Sequence, residues 1–178
     1  MGDMRSLSAA VALPVVIEAP SLEFRDFFEA EYERLGRALY VLTGSRAESE
    51  DLTQEAMVRV YERWGRVRAM DSPIGYLYRT AMNLHRSRLR RLGVRARRAI
   101  LADRHPDDPL EAVHHRDEVD RLLAALPETQ RQALVLVELL GMSSEEAARI
   151  LEIEPVSVRV RLSRARAHLR RRVVTADG

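Results

Sequence analysis

Apolar residues follow a helical periodicity over almost all of the chain beyond Pro20. Apolar residues recur there at steps of three or four, few runs alternate apolar and polar side chains, and most glycines and prolines fall between the periodic segments. The pattern therefore predicts an all-α protein. The predicted helices span about residues 22–42, 47–64, 73–92, 117–126, 128–140, 144–151 and 155–173.

The periodicity weakens between the third and fourth predicted helices. A run of arginines gives way there to acidic residues separated by Pro106 and Pro109. We interpret residues 94–116 as a flexible linker between two small helical domains, 21–93 and 117–173. A short tail, 174–178, follows the second domain.

The first twenty residues contain a mildly apolar run, 7–17, which resembles the centre of a signal peptide. Asp3 lies where such a peptide is positively charged, and Pro14 interrupts the run. The run is also too short to span a membrane. We expect residues 1–20 to form a disordered leader and the protein to be cytoplasmic.

Charge is unevenly distributed along the chain. All 29 basic residues are arginine, and the net charge is only +2 although the pI is about 9.4. Arginine makes planar, bidentate contacts to phosphate and guanine, so its clusters favour nucleic-acid binding. A GC-rich genome accounts for much of the missing lysine, but not for the position of the clusters.

The sequence contains no pattern typical of a catalytic or metal site. The absence of cysteine excludes disulfides and cysteine-based zinc sites. Adjacent histidines such as His114 and His115 point in different directions on a helix, so they do not predict a metal site. There is no phosphate-binding loop and no plausible catalytic triad. We expect no catalytic residue, cofactor, metal or small-molecule substrate.

Two segments near the C-terminus have the layout of a helix-turn-helix. Ser143 and Glu146 form a capping box that opens the first helix, and a tight turn leads to an arginine-rich second helix. Val158, Leu162, Ala165 and Leu169 form the predicted inner stripe of that second helix. Its outer face and flanks are expected to contact DNA bases and phosphates through Ser157, Arg159, Val160, Arg161, Ser163 and Arg164.

The third predicted helix carries a second candidate DNA surface. Its buried stripe is predicted to be Ile74, Leu77, Ala81 and Leu84. A different face presents an aromatic ring, an amide and guanidinium groups, which suit single-stranded DNA because rings stack on unpaired bases and guanidiniums contact phosphates. A solvated charged face explains the same pattern equally well. The candidate residues are Tyr76, Arg79, Asn83 and Arg86.

Three motifs in order resemble those of bacterial RNA polymerase sigma factors. Residues 50–57, Glu-Asp-Leu-Thr-Gln-Glu-Ala-Met, resemble the most characteristic segment of that family, and residues 73–84 resemble its promoter-melting segment. Leu126-Pro127-Glu128 and the helix-turn-helix resemble its fourth domain. Because the linker leaves no room for a third domain, and no acidic first domain precedes Phe24, the layout resembles the extracytoplasmic function (ECF) subfamily. The two helical domains would then be sigma domain two and sigma domain four.

This resemblance implies a role for each surface. Asp51, Gln54 and Glu55 match the motif that binds the clamp helices of the polymerase β′ subunit. The loop 65–71 and the Tyr76–Arg86 face match the part that captures a flipped base of the −10 element and assists DNA melting. Residues 156–166 match the part that reads the −35 element. The implied partners are core RNA polymerase, through its β′ clamp helices and β flap, promoter DNA and an anti-sigma factor.

The sequence departs from the family pattern within the helix-turn-helix. Glu152 stands where the turn usually has glycine, so a side chain must tolerate a strained or altered turn. The pattern around Glu154, Pro155 and Val156 is shifted, and Val160 replaces a commonly small polar residue. These departures leave the −35 sequence open.

Two other functions are compatible with parts of the sequence. A stand-alone helix-turn-helix transcriptional regulator would bind duplex DNA tightly as a dimer without polymerase, and it would not need the Asp51, Gln54 and Glu55 motif. A helical adaptor protein would show only weak, salt-sensitive DNA binding. The sigma-factor interpretation accounts for all three motifs.

Overall fold

A computed structural model describes residues 22–101 and 118–176. Every regular element in these two ranges is helical. The helices are α1 Leu22–Thr43, α2 Arg46–Tyr61, α3 Trp64–Val67, α4 Pro73–Leu101, α5 Glu118–Ala124, α6 Glu128–Leu134, a π-helical segment Val135–Leu139, α7 Ser144–Leu151 and α8 Pro155–Ala176. The all-α prediction is therefore confirmed.

Helices α1, α2 and α4 form the first unit around an apolar core. Leu35 and Leu39 of α1, Leu52 of α2 and Leu77 of α4 are fully buried in it. The short helix α3 adds Val67. In the second unit, α6 and α7 pack against α8.

The two units pack against each other, which the sequence did not predict. Helix α4 lies along α7, and α1 contacts both α5 and the π-helical segment. Polar contacts cross the same boundary: Arg34 donates to the carbonyl oxygen of Leu140 at 2.6 Å, and the Tyr40 hydroxyl bonds to Asp120 at 2.9 Å. Most of the buried apolar residues of both units consequently form one continuous cluster.

Several predicted helix ends differ from the structure. The helix predicted over 47–64 ends at Tyr61, and after a bend at Arg63 the chain forms α3 within the predicted loop 65–71. The bend places the Trp64 ring 5.2 Å from Phe24 and 5.0 Å from Phe27. Helix α4 continues past residue 94, where the linker was predicted to begin, up to Leu101.

The helix predicted over 128–140 contains an irregular final turn. The Leu140 amide donates to the carbonyl oxygen of Val135, five residues earlier, and Gly141 follows with a φ of 70°. The remaining predicted features, namely the leader 1–20, the acidic part of the linker and His114 with His115, lie outside the described residues.

Candidate nucleic-acid and partner interfaces

The predicted polymerase-binding residues form one face of α2. Ser45 caps this helix by accepting a hydrogen bond from the Glu48 amide at 3.3 Å. Asp51 and Gln54 are exposed and Glu55 is half-buried, whereas Leu52 and Ala56 point into the core. The sequence thus places two carboxylates and an amide side by side on the outer surface of the helix.

Arg88 of α4 lies beside this acidic face. Its guanidinium is 3.8 Å from an Asp51 carboxylate oxygen and 3.5 Å from one of Glu55. Glu55 also accepts a hydrogen bond from Arg59 at 2.7 Å. These pairs hold the two carboxylates near each other, although exposed pairs of this kind contribute little stability.

The candidate melting face begins at a capped helix end. Ser72 accepts a hydrogen bond from the Gly75 amide at 2.9 Å, as expected for a cap preceding Pro73. A Cβ atom on Gly75 would lie only 2.8 Å from the same Ser72 hydroxyl, so glycine keeps room for the cap. The start of α4 is thereby fixed directly before Tyr76.

The four residues predicted for this face do lie on one side of α4. Arg79 and Asn83 are exposed, and Tyr76 and Arg86 are half-buried. The Tyr76 hydroxyl accepts a hydrogen bond from Arg63 at 3.0 Å, which raises the pKa of Arg63. Arg86 donates to the Asn83 side-chain oxygen at 2.6 Å. Ile74, by contrast, is exposed and does not belong to the buried stripe.

A cleft of about 980 Å³ opens beside this face. One wall is the start of α4 with Tyr76 and Arg79, and the other is α7 with Glu146 and Arg149. A smaller pocket of about 220 Å³ lies between Tyr76 and α3. The candidate melting face therefore looks towards the second unit.

The helix-turn-helix has the predicted local structure. The Ser143 hydroxyl accepts from the Glu146 amide at 3.1 Å, and the Glu146 carboxylate accepts from the Ser143 amide at 2.8 Å. These two bonds form the predicted capping box, and the bond from the Ser143 amide lowers the pKa of the Glu146 carboxyl group. Glu152 has a φ of 58° and a ψ of 47°, so it occupies the left-handed conformation that glycine usually supplies.

Helix α8 divides into inner and outer faces as predicted. Val158, Leu162 and Ala165 are buried against the rest of the second unit, whereas the fourth predicted residue, Leu169, is only half-buried. Of the candidate contact residues, Arg159, Val160, Ser163 and Arg164 are exposed, and Ser157 and Arg161 are half-buried. Arg159 pairs with Glu145 of α7 at 3.3 Å. The structure thus brings all six residues to the outer side of one helix.

Sequence reasoning missed a buried polar cluster between the two units. His85 of α4 is almost inaccessible, and its Nε2 lies 2.8 Å from a carboxylate oxygen of Glu128 at the start of α6. Burial alone would raise the pKa of Glu128, but hydrogen bonds from His85, Arg131 and Gln132 outweigh it and lower the pKa to about 2. We call this group the His85–Glu128 cluster. Its partners are 43 residues apart, so no local pattern indicates it.

The described helices include none that is long and apolar enough to cross a membrane. Within the same ranges, no group of histidine and acidic side chains has an arrangement suited to a metal ion.

Two family descriptions match this sequence: "Sigma-70 region 2" over residues 27–95 and "Sigma-70, region 4" over residues 116–169. The ECF RNA polymerase sigma factor SigM of Mycobacterium tuberculosis is 28% identical over 180 residues, which cover 96% of this chain and 87% of that protein. The RNA polymerase sigma-E factor of Streptomyces avermitilis is 30% identical over 158 residues, 88% of each chain.

Solved structures show the same fold. The sigma factor RpoE from Bartonella quintana, in complex with the anti-sigma factor NepR, matches with a TM-score of 0.69 at 22% identity, over 84% of this chain and 95% of that one. CnrH, in complex with the cytosolic domain of CnrY, matches with a TM-score of 0.61 at 25% identity, over 87% and 89%.

Proposed function

Because this chain belongs to the ECF subfamily of the sigma-70 family, we propose that its three exposed faces divide the tasks of a promoter-specificity subunit of RNA polymerase. The first unit, residues 21–93, acts as sigma domain two, and the second, 117–173, as sigma domain four. The observation that carries this assignment is the coexistence, on one chain, of an acidic face on α2, an arginine and tyrosine face on α4 and a helix-turn-helix. A stand-alone regulator accounts only for the last of these.

The acidic face of α2 binds core polymerase. Asp51, Gln54 and Glu55 are accessible together, and their charge suits the basic surface expected of the β′ clamp helices. Domain four adds a second attachment at the β flap. Two separate attachments hold the subunit on the polymerase more firmly than either alone, because the second binding event becomes intramolecular.

The α4 face opens the promoter at the −10 element. Tyr76 offers a ring for an unpaired base, Asn83 an amide for a base edge, and Arg79 and Arg86 positive charge for the backbone. Stacking contributes roughly 1–3 kcal/mol per base, which helps to offset the free energy of unpairing. The pocket between Tyr76 and α3 has a volume suited to a single flipped base.

Helix α8 reads the −35 element in the major groove. The exposed arginines near its start contact guanines or phosphates, and Ser157 and Ser163 complete the polar part of the surface. No chemical step is assigned to this protein, since RNA synthesis belongs to the polymerase. The protein acts in the cytoplasm, where promoter DNA and polymerase meet.

Both solved relatives were captured with another protein, in one case an anti-sigma factor. We propose that an anti-sigma factor also regulates this chain, by covering the faces that bind polymerase and DNA.

In vitro transcription tests the proposal. Purified bacterial core polymerase is incubated with fragmented genomic DNA, with and without the protein, and the 5′ ends of the transcripts are mapped. We expect protein-dependent start sites that share two spaced upstream motifs. Tight binding to duplex DNA without polymerase, and no dependent start sites, would instead identify a stand-alone regulator.

A further inference from the structure

Two apolar side chains occupy the outer face of the recognition helix. Val156 is 56% exposed and Val160 is 43% exposed, and both lie in the first two turns of α8. Their separation of four residues places them on the same side of the helix, about 6 Å apart along its axis. Neither residue belongs to the buried stripe formed by Val158, Leu162 and Ala165.

This pair differs from an ordinary exposed valine in its surroundings. Single exposed apolar residues are normal on protein surfaces and need no explanation. Here the two valines line up with the exposed Ser163 and Arg164 farther along the helix, and Arg159 and Arg161 flank them. Valine is also a modest helix former, so an exposed helical site gains nothing from it locally. Exposed valines between arginines are therefore best explained by a ligand that is polyanionic and also carries apolar groups.

We propose that Val156 and Val160 are specificity-determining residues that contact the C5 methyl groups of thymines in the −35 element. This inference rests on the proposed role of α8 as the recognition helix. Thymine is the only standard base that presents a methyl group in the major groove. Successive base pairs rise by about 3.4 Å, so a spacing of about 6 Å along the helix reaches thymines one or two base pairs apart. Valine is stiff at χ1, so its methyl groups lose little freedom on contact.

These contacts predict which bases the recognition helix prefers in the −35 element. The valines distinguish thymine from cytosine at one or two positions, while Arg161 and Arg164 supply guanine or phosphate contacts beside them. A small polar residue at position 160 would not make this distinction by apolar contact. The −35 elements used by this protein are therefore expected to contain thymine, on either strand, next to the arginine-contacted positions.

Replacement of single thymines by deoxyuridine tests the proposal, because deoxyuridine keeps the hydrogen-bonding groups and removes only the methyl. The template is the strongest protein-dependent promoter found by transcript mapping. With the natural protein, initiation is expected to fall about fourfold for each contacted methyl removed. With Val156→Ala and Val160→Ala, the difference in initiation between the template containing thymine and the template containing deoxyuridine should be clearly smaller than with the natural protein, because the shorter side chain makes less contact with the methyl group.

Val119→Ala is the matched control, because Val119 is 62% exposed but lies in α5, outside the recognition helix. This variant should keep the full response to deoxyuridine. Circular dichroism verifies that each alanine variant keeps its helical content. Equal deoxyuridine effects in the natural protein and the α8 variants, or −35 elements without thymine, would overturn the proposal. The absence of any protein-dependent start site would instead refute the proposed function itself.

Discussion

At the residue scale, Glu152 shows how a helix-turn-helix can dispense with glycine. Its backbone is left-handed, a conformation that costs an L residue roughly 1–2 kcal/mol relative to the right-handed form. The Ile153 amide donates to the carbonyl oxygen of Ala148 at 3.1 Å, so the turn keeps its closing hydrogen bond. The buried residues on both sides, Leu151 and Val158, fix the turn despite the strain.

The backbone strain at Glu152 predicts opposite effects of two substitutions. Glu152→Gly should change the free energy of unfolding by less than about 1 kcal/mol, on the stabilising side, because relief of strain exceeds the extra entropy of the unfolded chain. Glu152→Val should destabilise the protein by about 1 kcal/mol or more, because a β-branched residue tolerates this conformation poorly. Urea unfolding measures both, and equal effects of the two substitutions would contradict the role of backbone strain.

The acidic residues of α2 lead to a second prediction at the residue scale. Combining Gln54→Ala with Glu55→Ala should weaken binding to core polymerase by about tenfold or more, because it removes adjacent polar contacts from one interface. Both side chains lie outside the core, so the fold should persist. Fluorescence anisotropy of labelled protein titrated with core polymerase provides the measurement.

The matched control for this double variant is Asp26→Ala with Glu29→Ala, which removes exposed acids from α1 instead. It should bind core polymerase normally if the α2 face is specific. Unchanged affinity in the Gln54 and Glu55 variant would refute the assignment of this docking surface.

At the element scale, local sequence signals predicted some helices well and others poorly. Helix α7 has the predicted bounds because a capping box begins it and a strained turn ends it. The break after Tyr61 was missed because neither glycine nor proline marks it; the packing of Trp64 on Phe24 and Phe27 stabilises it instead. Tyr78 and His85 are buried because α4 is covered on more than one side: Tyr78 donates a hydrogen bond to Glu31 of α1, and His85 lies against Glu128 of α6. A single helical stripe does not anticipate this.

The outer face of α8 leads to a prediction about promoter choice. Arg161→Ala with Arg164→Ala should leave binding to core polymerase unchanged and impair use of the −35 element. Each lost bidentate contact to guanine removes roughly 1–3 kcal/mol of discrimination. Transcription from promoters with intact and scrambled −35 elements measures this loss. An unchanged preference for the intact element would show that α8 does not read it.

At the scale of the whole molecule, the two packed units lie too close together to reach both promoter elements at once. Elements named for positions 35 and 10 lie roughly 25 base pairs apart, which is on the order of 85 Å of duplex. A compact chain of this length is only about 40 Å across. The two domains must therefore separate before they contact both elements. The α4 face and α7, which form opposite walls of one cleft, must move apart.

Domain separation is measurable because the natural chain contains no cysteine. Cysteines introduced at the exposed Ala30 of α1 and Val119 of α5, one in each unit, accept a pair of fluorescent dyes without competing thiols and without covering the α2 face. We expect efficient energy transfer in the free protein and a marked decrease when core polymerase binds, as the dyes separate by tens of ångströms. Equal transfer in the two states would contradict the opening.

The packing of the two units was not predictable from the sequence, since its polar contacts join residues far apart in the chain. The His85–Glu128 cluster illustrates the reason. In the sequence, Glu128 looks like an ordinary acidic residue in the first turn of a helix, and His85 is a single histidine within a long helix. Only the packing of α4 near α6 brings His85 and Glu128 together.

The low pKa of Glu128 predicts how acid affects this packing. The ordinary pKa of a glutamate side chain is 4.5, whereas the pKa of Glu128 in the folded protein is about 2. Between pH 2 and pH 4.5, Glu128 therefore binds fewer protons in the folded state than in the unfolded state. The carboxylate therefore contributes stability that is fully present above about pH 4.5 and is lost as the pH falls towards 2. At neutral pH this contribution is on the order of 3 kcal/mol.

Comparison with Glu128→Gln isolates this group from the other carboxylates. The variant should be less stable than the natural protein at pH 7, and the difference in the free energy of unfolding should shrink steadily as the pH falls from 5 to 3. Glu33→Gln, at an exposed position on α1, serves as the control and should show no such trend. A difference for Glu128→Gln that stays constant with pH would mean that folding does not lower the pKa of this carboxyl group. The same pair of dyes, placed on the Glu128→Gln variant, shows whether loss of the Glu128 charge also separates the two units.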